Sequence, residues 1–349
     1  MPTDETGPHA NMSSASRAML AKVRKLVPPM LEKFHKGQQG RVAVIGGSID
    51  YTGAPYFSAM ASARLGCDMS YVFCEPSAAP TIKSYSPNLM VSPILRSTAS
   101  ILAQNSSDPP SGEELAKPIL DMFPRVHVLV IGPGLGRDLV TQKQVKAVIQ
   151  AARRHDPPIP MVLDADALWL IQTDPDVIKG HKECILTPNV VEFGRLARAV
   201  GLDPIQGDPA KMCQELSKTL DGVCILQKGV VDYISQGIDT TISDVKGGLK
   251  RSGGQGDTLT GSLGTFLAWR ELYHQGLWDI PEPKMSREET LLVAAFAGSA
   301  ITRECSRRAF EKRQRSLQAS DLTDEVHNSF LALIGEPEAP GVQGSHSYL

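Results

Sequence analysis

Short apolar runs alternate along the chain with longer segments in which apolar residues recur at helical spacing. Several of the runs are apolar at every position, which is typical of strands buried between two layers of helices. This order predicts an α/β fold with a largely parallel central sheet and right-handed crossovers. The runs that we interpret as strands are residues 41–47, 69–75, 88–95, 127–133, 160–165, 183–188 and 223–229.

Helical spacing follows Gly53, Gly136 and Pro188, and it recurs in the apolar segment 291–305. Two further apolar runs between residues 230 and 248 lie too close together for an intervening helix, so they predict a β-hairpin. The chain shows no internal repeat and no linker. We therefore predict one domain, with these divisions: an N-terminal arm over 1–30, the domain over 31–335 and a flexible tail over 336–349.

The charge balance narrows the class of partner. A formal net charge of -2, from 36 basic and 38 acidic residues, gives no global field that would attract a polyanion. No apolar run approaches the roughly 20 residues that a membrane span needs. Neither nucleic acid nor a membrane is therefore an expected partner.

The cysteines and the N-terminus bear on the compartment. The six cysteines form no Cys-x-x-Cys pair and lie in apolar stretches, so we expect buried thiols and a cytoplasmic protein. Residues 12–31 are Ser-rich, basic and free of acids, as transit peptides are, and they would favour mitochondria if translation started at Met12. Asp4 and Glu5 spoil that pattern from Met1, and the simpler interpretation of the segment is a solvated amphipathic arm.

The stretch GGLKRSGGQGDTLTGSLGTFLAW (247–269) contains a glycine-rich turn, then Asp257, then an apolar helical pattern. The pattern predicts a helix that starts near Thr258, with its positive end facing the turn. Backbone amides at Gly254 and Gly256 would then form an anion hole for a transferring phosphoryl group. Asp257 could deprotonate the hydroxyl that accepts the phosphoryl group. The alternative is that Asp257 is only the N-cap of the helix.

Other motifs also follow predicted strands, and each has a plainer interpretation. Asn189 and Glu192 could hold the waters of Mg²⁺, or they could simply cap a helix. Residues 228–232, KGVVD, could meet phosphate or ribose, or form an ordinary β-turn. GPGLGRD (132–138) permits close backbone approach to a ligand, whereas LDAD (163–166) fits a solvated strand end with a helix cap. No Walker A sequence occurs in the chain.

Six ordered motifs together resemble the ATP-dependent NAD(P)H-hydrate dehydratases of the ribokinase-like superfamily. They are GRVAVIGGS, GPGLGRD, LDADAL, LTPNVVEF, KG-x-x-D and GGQGDTLTGSLG, and the resemblance spans roughly residues 30 to 335. It implies a ribokinase-like three-layer α/β/α sandwich. It also implies ATP as co-substrate with Mg²⁺, and dehydration of the S form of hydrated NADH or NADPH back to NAD(P)H, with release of ADP and phosphate.

The resemblance also implies a role for each matching residue. From the residues themselves, Asp257, Gly254 and Gly256 are expected to be catalytic, and Glu192 would hold the metal through water; the contacts that follow are those that the resemblance implies. The expected contacts of the substrate hydrate are Gly134, Asn189, Val190, Val191, Glu192, Phe193, Gly194, Arg195 and Asp257. The expected contacts of ATP are Lys228, Gly229, Val230, Val231, Asp232, Gly247, Gly248, Leu249, Lys250, Arg251, Ser252, Gly253, Gly254, Gln255 and Gly256.

Some 30 residues precede the first matching strand, so an NAD(P)H-hydrate epimerase is expected to be a separate functional partner, and the resemblance leaves room for a homo-oligomer. Two other functions compete with the dehydratase. One is a small-molecule kinase of the same fold that phosphorylates a vitamin or sugar hydroxyl and stops there. The other is a catalytically silent nucleotide-binding protein. A kinase would accumulate a phosphoester, whereas a dehydratase would release free phosphate.

Overall fold

A computed structural model describes residues 12–102, 110–204, 207–280 and 282–337. Each of the seven predicted runs contains a strand, and the predicted hairpin supplies two more. The strands are β1 Arg41–Ile45, β2 Met69–Phe73, β3 Met90–Ser92, β4 Val128–Ile131, β5 Met161–Leu163, β6 Cys184–Leu186, β7 Cys224–Gln227, β8 Asp232–Ser235 and β9 Thr240–Ser243.

Helices connect most of these strands and complete the layers on both sides. They are α1 Ser14–Leu26, α2 Gly53–Leu65, α3 Ala79–Tyr85, α4 Thr98–Leu102, α5 Gly112–Leu120, α6 Leu139–Arg154, α7 Asp166–Thr173, α8 Val190–Ala199, α9 Pro209–Thr219, α10 Gln255–Gln275, α11 Arg287–Arg313, α12 Ala319–Asp324 and α13 Val326–Leu333. No helix within the described ranges is long and apolar enough to cross a membrane.

All nine strands belong to one sheet, in the order β3-β2-β1-β4-β5-β6-β7-β8-β9. The pairs from β3 through β7 are parallel, whereas β7, β8 and β9 pair antiparallel. The strand order reverses between β1 and β4, and in such sheets the ligand crevice lies beyond the carboxyl ends of the strands, at that switch point. The prediction of a largely parallel sheet between two helical layers is confirmed.

Alternate residues of each strand enter two separate cores, because successive side chains of a strand point to opposite faces. On β1, Val42 and Val44 join the core that contains α10 and α11, whereas Ala43 and Ile45 join the core that contains α6 and α8. Both sets are fully buried. This two-sided burial explains why the strands read as continuous apolar runs.

Helix α10 lies at the centre of one layer and is buried from Asp257 through Tyr273. Two glycines let its backbone come close to its neighbours. A Cβ at Gly261 would lie 2.0 Å from the carbonyl oxygen of Ser58 on α2, and a Cβ at Gly264 would lie 2.9 Å from Val42 on β1. This close approach fixes where the first turn of α10 meets the carboxyl edge of the sheet.

Two expectations need correction. The helix predicted to start near Thr258 begins three residues earlier, at Gln255, so Asp257 lies in its first turn. The arm is not solvated over residues 14–26, because Leu20, Val23 and Leu26 of α1 are buried in the core. The predictions for residues 1–11 and 338–349 lie outside the described residues.

We predict that Gly261→Ala lowers the free energy of unfolding by about 3 kcal/mol or more, because backbone atoms of α2 and α10 cannot both keep their positions around a new methyl group. Gly253→Ala is the matched control, since a Cβ there would have no heavy atom within 4 Å. Denaturant unfolding of both variants checks this. Equal stability of the two would show that α2 and α10 can move apart cheaply.

Candidate active site

The carboxyl ends of the parallel strands bring the predicted motifs together at one edge of the sheet. The loops after β1 and β4 touch there through backbone atoms: the Gly47 amide donates a hydrogen bond of 3.0 Å to the Gly134 carbonyl. A Cβ at Gly46 would lie 2.0 Å from the carbonyl oxygen of Pro133. These glycines are therefore required by packing between the loops, and two cavities open on this edge.

The smaller cavity, of ≈ 530 Å³, lies beyond β6 and β7, where α8, α10 and α11 converge. It brings together residues from three separate predicted motifs. Its walls are Asn189, Val190, Val191, Lys228, Gly229, Val230, Asp232, Gly247, Arg251, Gln255, Gly256, Leu259, Thr302, Arg303 and Ser306. Three of these, Thr302, Arg303 and Ser306, lie on α11 outside every predicted motif. The available signal is the polar i, i+4 pair Thr302 and Ser306 at the end of the apolar segment of that helix.

The basic residues of the glycine-rich segment differ in placement. Arg251 lines the smaller cavity, and its guanidinium donates to the Gly248 carbonyl at 2.6 Å. Lys250 turns to the Arg315 carbonyl at 2.7 Å instead. Gly248 is held against α11, where a Cβ would lie 2.4 Å from the carbonyl oxygen of Ser306. Arg251 is therefore the cationic side chain of this segment that faces the cavity.

Asp232 shapes the smaller cavity through three partners. Its carboxylate accepts hydrogen bonds from the Gly229 amide at 3.0 Å, from Arg303 at 2.9 Å and from the Ser299 hydroxyl at 2.7 Å. The Arg303 guanidinium also donates to the carbonyl oxygens of Val230 and Gly229. The turn after β7 is thus clamped between Asp232 and α11.

The larger cavity, of ≈ 1010 Å³, lies at the switch point between β1 and β4. It contains the predicted Gly134 together with polar residues of several loops. Its walls are Ser48, Ile49, Asp50, Tyr51, Ala54, Glu75, Pro76, Ser77, Ser97, Ala99, Ser100, Gly134, Gly136, Arg137, Asp138, Ala165 and Asp166. Gly134 has φ +61, and a Cβ there would lie 2.8 Å from the Tyr51 carbonyl oxygen, so only glycine fits.

Asp257 lies directly after Gln255 and Gly256, in the first turn of α10, and is 9% exposed. Among the described residues, none donates a hydrogen bond to its carboxylate, and none accepts one from the Gln255 or Gly256 amide. The helix is capped by Gly254 at φ 86, so the interpretation of Asp257 as an N-cap is wrong. Gln255 and Gly256, whose amides are unpaired, line the smaller cavity, whereas Asp257 follows them in the chain and is not itself among the walls of either cavity.

The pKa of Asp257 is raised well above its usual range. Burial is the main cause, the negative charge of Asp164 acts in the same direction, and the positive charge of Lys228 opposes both. Asp164 follows β5 and is 4% exposed, and it pairs with the Lys228 ammonium at 2.9 Å. Asp164 is therefore no solvated strand end, and it caps nothing, because the residue at the N-cap of α7 is Ala165.

Asn189 and Glu192 form a capping box at the start of α8. The Asn189 side chain accepts from the amides of Val191 and Glu192, and the Glu192 carboxylate accepts from the Asn189 amide at 2.8 Å. Burial raises the pKa of Glu192, against the effect of that amide and of Lys228. Within the described ranges no cluster of three or more His, Cys, Asp or Glu side chains could hold a metal by itself.

The structure separates the other predicted substrate contacts. Gly134 lines the larger cavity, whereas Asn189, Val190 and Val191 line the smaller one. Phe193 packs into the hydrophobic core beside α8's buried face, so its side chain belongs to the fold. The predicted ATP contacts that lie outside the walls of the smaller cavity are Val231, Gly248, Leu249, Lys250, Ser252, Gly253 and Gly254.

Comparison with known proteins first defines the class. A ribokinase-like superfamily protein from Enterococcus faecalis superposes with a TM-score of 0.65 at 20% identity, covering 94% of this chain and 100% of that chain. An ADP/ATP-dependent NAD(P)H-hydrate dehydratase from Bacillus subtilis, co-crystallized with ATP/Mg²⁺, superposes with a TM-score of 0.61 at 20% identity, covering 90% and 97%. The fold is therefore ribokinase-like.

Sequence relatives then narrow this class. The family model described as NAD(P)H-hydrate dehydratase matches residues 42–328. The ATP-dependent (S)-NAD(P)H-hydrate dehydratase of Emericella nidulans is 59% identical over 365 aligned residues, which cover 95% of this chain and 98% of the relative. The chain belongs to the NAD(P)H-hydrate dehydratase family, as the six motifs indicated.

We predict that Asp257→Asn is more stable than the wild type at neutral and higher pH. The folded protein keeps a proton on Asp257 at pH values where the unfolded chain has lost it. Its free energy of unfolding therefore falls as pH rises from about 4 through the raised pKa. Without that carboxylate the decline disappears, and we expect a gain of about 1 kcal/mol at pH 8.

Unfolding curves from pH 4 to 8 measure this difference. The control is Asp121→Asn, which removes a surface carboxylate paired with Lys117 and should show no gain that grows with pH. If the free energies of unfolding of Asp257→Asn and of the wild type differed by a constant amount from pH 4 to 8, the raised pKa of Asp257 would be contradicted.

Proposed function

We propose that the protein uses ATP to dehydrate the S form of hydrated NADH or NADPH, and so returns a damaged cofactor to its active form. The observation that carries this proposal is the unpaired Asp257 carboxylate beside the unpaired amides of Gln255 and Gly256. The high identity to relatives that bear this activity in their names supports it. The kinase alternative has no comparable support.

The first step is phosphoryl transfer, because hydroxide is a poor leaving group. The Asp257 carboxylate takes the proton of the ring hydroxyl, and that oxygen bonds to the γ-phosphorus of ATP as the bond to the ADP oxygen breaks. Burial makes the Asp257 carboxylate a stronger base than an exposed one, and the Lys228 charge offsets part of the rise in its pKa. The amides of Gln255 and Gly256 stabilise the charge on the moving phosphoryl group.

The second step is elimination. Phosphate leaves with the electrons of the carbon–oxygen bond, pushed out by the lone pair of the ring nitrogen. Loss of a proton from the neighbouring ring carbon restores the dihydronicotinamide. The products are NAD(P)H, ADP and phosphate.

We assign the smaller cavity to ATP and the larger cavity to the hydrate. The smaller cavity has the Arg251 and Lys228 cations and the start of α10, all suited to phosphates. The hydroxyl oxygen must come within reach of the γ-phosphorus. The reacting ring therefore extends to Gly256, where Asn189, Val190 and Val191 can contact it.

We propose that Mg²⁺ is held chiefly by the nucleotide oxygens and by water, with Glu192 as a partner through water. The absence of a clustered ligand set among the described residues fits an ion that keeps its hydration shell. One carboxylate oxygen of Glu192 is already used by the helix cap, which leaves the other available. The ion would neutralise phosphate charge during transfer.

We also propose a cytoplasmic setting beside a separate epimerase. All six cysteines are buried free thiols, which suits a reducing compartment. An enzyme that accepts only the S form of the hydrate needs a second catalyst to convert the R form.

We predict that purified protein given NADH hydrate, ATP and Mg²⁺ restores the near-ultraviolet absorbance of dihydronicotinamide and releases one phosphate per ADP. The reason is that phosphorylation only prepares the hydroxyl for departure. Absorbance and free phosphate are recorded together. Accumulation of a stable phosphoester without recovery of absorbance would favour the small-molecule kinase instead.

We predict that Asp257→Asn lowers kcat by about 1000-fold while ATP affinity stays within about threefold, because the amide cannot accept the hydroxyl proton. Steady-state kinetics and calorimetric titration with ATP·Mg²⁺ measure the two quantities. Substantial remaining turnover in this variant would refute the role of Asp257 as the base.

A further inference from the structure

The Lys228 ammonium follows the end of β7 and has three carboxylates around it, Asp164, Glu192 and Asp257. It forms an ion pair with only the first of these, at 2.9 Å from Asp164 Oδ1. Burial lowers the pKa of Lys228, but the attraction of the three carboxylates outweighs this effect and raises it. Asp164 therefore sets the position of the Lys228 ammonium.

This ion pair lies directly against the start of α10. A Cβ built on Gly256 would lie 3.4 Å from Asp164 Oδ2 and 3.6 Å from Lys228 Nζ. Gly256 also lines the smaller cavity and precedes Asp257. The Lys228–Asp164 ion pair therefore lies within van der Waals distance of the start of α10, beside a residue that lines the cavity.

We infer that Asp164 is a positioning residue: it holds the Lys228 ammonium at the start of α10, where its charge faces the phosphoryl group during transfer. This inference rests on the proposed function. In this role the Asp164 side chain does not touch either substrate, because the Lys228 ammonium occupies the position beside its carboxylate. Its carboxylate acts on the reaction through Lys228.

Asp164 also keeps Lys228 away from the base. An ammonium released from Asp164 has Glu192 and Asp257 as neighbouring carboxylates. Glu192 is already bonded to the Asn189 amide, whereas Asp257 has no hydrogen-bond partner for its carboxylate among the described residues. Pairing with Lys228 would occupy the oxygens that must accept the hydroxyl proton. Removing the charge of Asp164 therefore harms the reaction in two ways, and both need the lysine.

A double-mutant cycle tests this coupling. We expect Asp164→Asn to lower kcat about 100-fold and to weaken ATP·Mg²⁺ binding about tenfold. In the Lys228→Met background the same substitution should change kcat by no more than about threefold, because there is no ammonium left to hold. Losses that multiply in the double variant, or wild-type kcat in Asp164→Asn, would overturn the inference.

The control is Asp174→Asn, which breaks another Asp–Lys pair, with Lys146 at 2.6 Å, at the far end of α7. It should leave kcat and ATP affinity within about twofold. If Asp164→Asn does not fold, Asp164→Glu replaces it. This variant keeps the charge but displaces the ammonium, so a loss of kcat of about tenfold at unchanged thermal stability is expected; wild-type kcat would count against positioning.

The titration with ATP·Mg²⁺ separates this inference from the proposed function. A wild-type protein that binds ATP but converts no hydrate would refute the dehydratase activity. In that case the nucleotide affinity alone tests the inference. The positioning role is supported if Asp164→Asn weakens ATP·Mg²⁺ binding about tenfold in the wild-type background and has no such effect in the Lys228→Met background. Unchanged affinity contradicts it.

Discussion

The close approach of α10 to the sheet and to α2 is the constraint on which the rest of the site depends. Gly261 and Gly264 allow it, because any side chain at either position would overlap Ser58 or Val42. With the helix held this near, its first turn opens at the carboxyl edge of the parallel strands. Its first two residues, Gln255 and Gly256, come to line the smaller cavity, and the Asp257 carboxylate follows directly in the chain. The amides attract a negative ligand charge, whereas the ionised carboxylate would repel it.

The buried charged residues around Asp257 reduce this opposition between the amides and the carboxylate. Burial disfavours the ionised form of Asp257, and the negative charge of Asp164 adds to that penalty. Lys228 offsets part of it and is itself held by Asp164. The structure thus places a carboxylate of raised pKa near a cation that is fixed by an ion pair, and the proposed phosphoryl transfer uses both.

Much of the architecture was predictable, because strands buried on both faces carry an unbroken apolar signal and helical spacing separates them. The start of α10 was placed three residues late, since glycines carry no propensity for a helix, and Gly254 rather than a polar residue ends up as its cap. The sequence predicts a solvated arm where the structure has the packed helix α1, because the apolar stripe of α1 finds its partner, α11, only in the tertiary structure. The polar residues of α11 at the cavity were overlooked for the same reason.

The sequence by itself determined the order of elements, the parallel sheet, the motifs at the strand ends and the resemblance to a family, because these depend on local periodicity and on residues adjacent in the chain. Only the tertiary structure decided which motifs share a cavity, that Gly134 lies apart from Asn189, and that Asp164 pairs with Lys228. Those partners are 64 residues apart in the chain. Their contact is set by the register of β5 and β7 across β6, which no local pattern encodes.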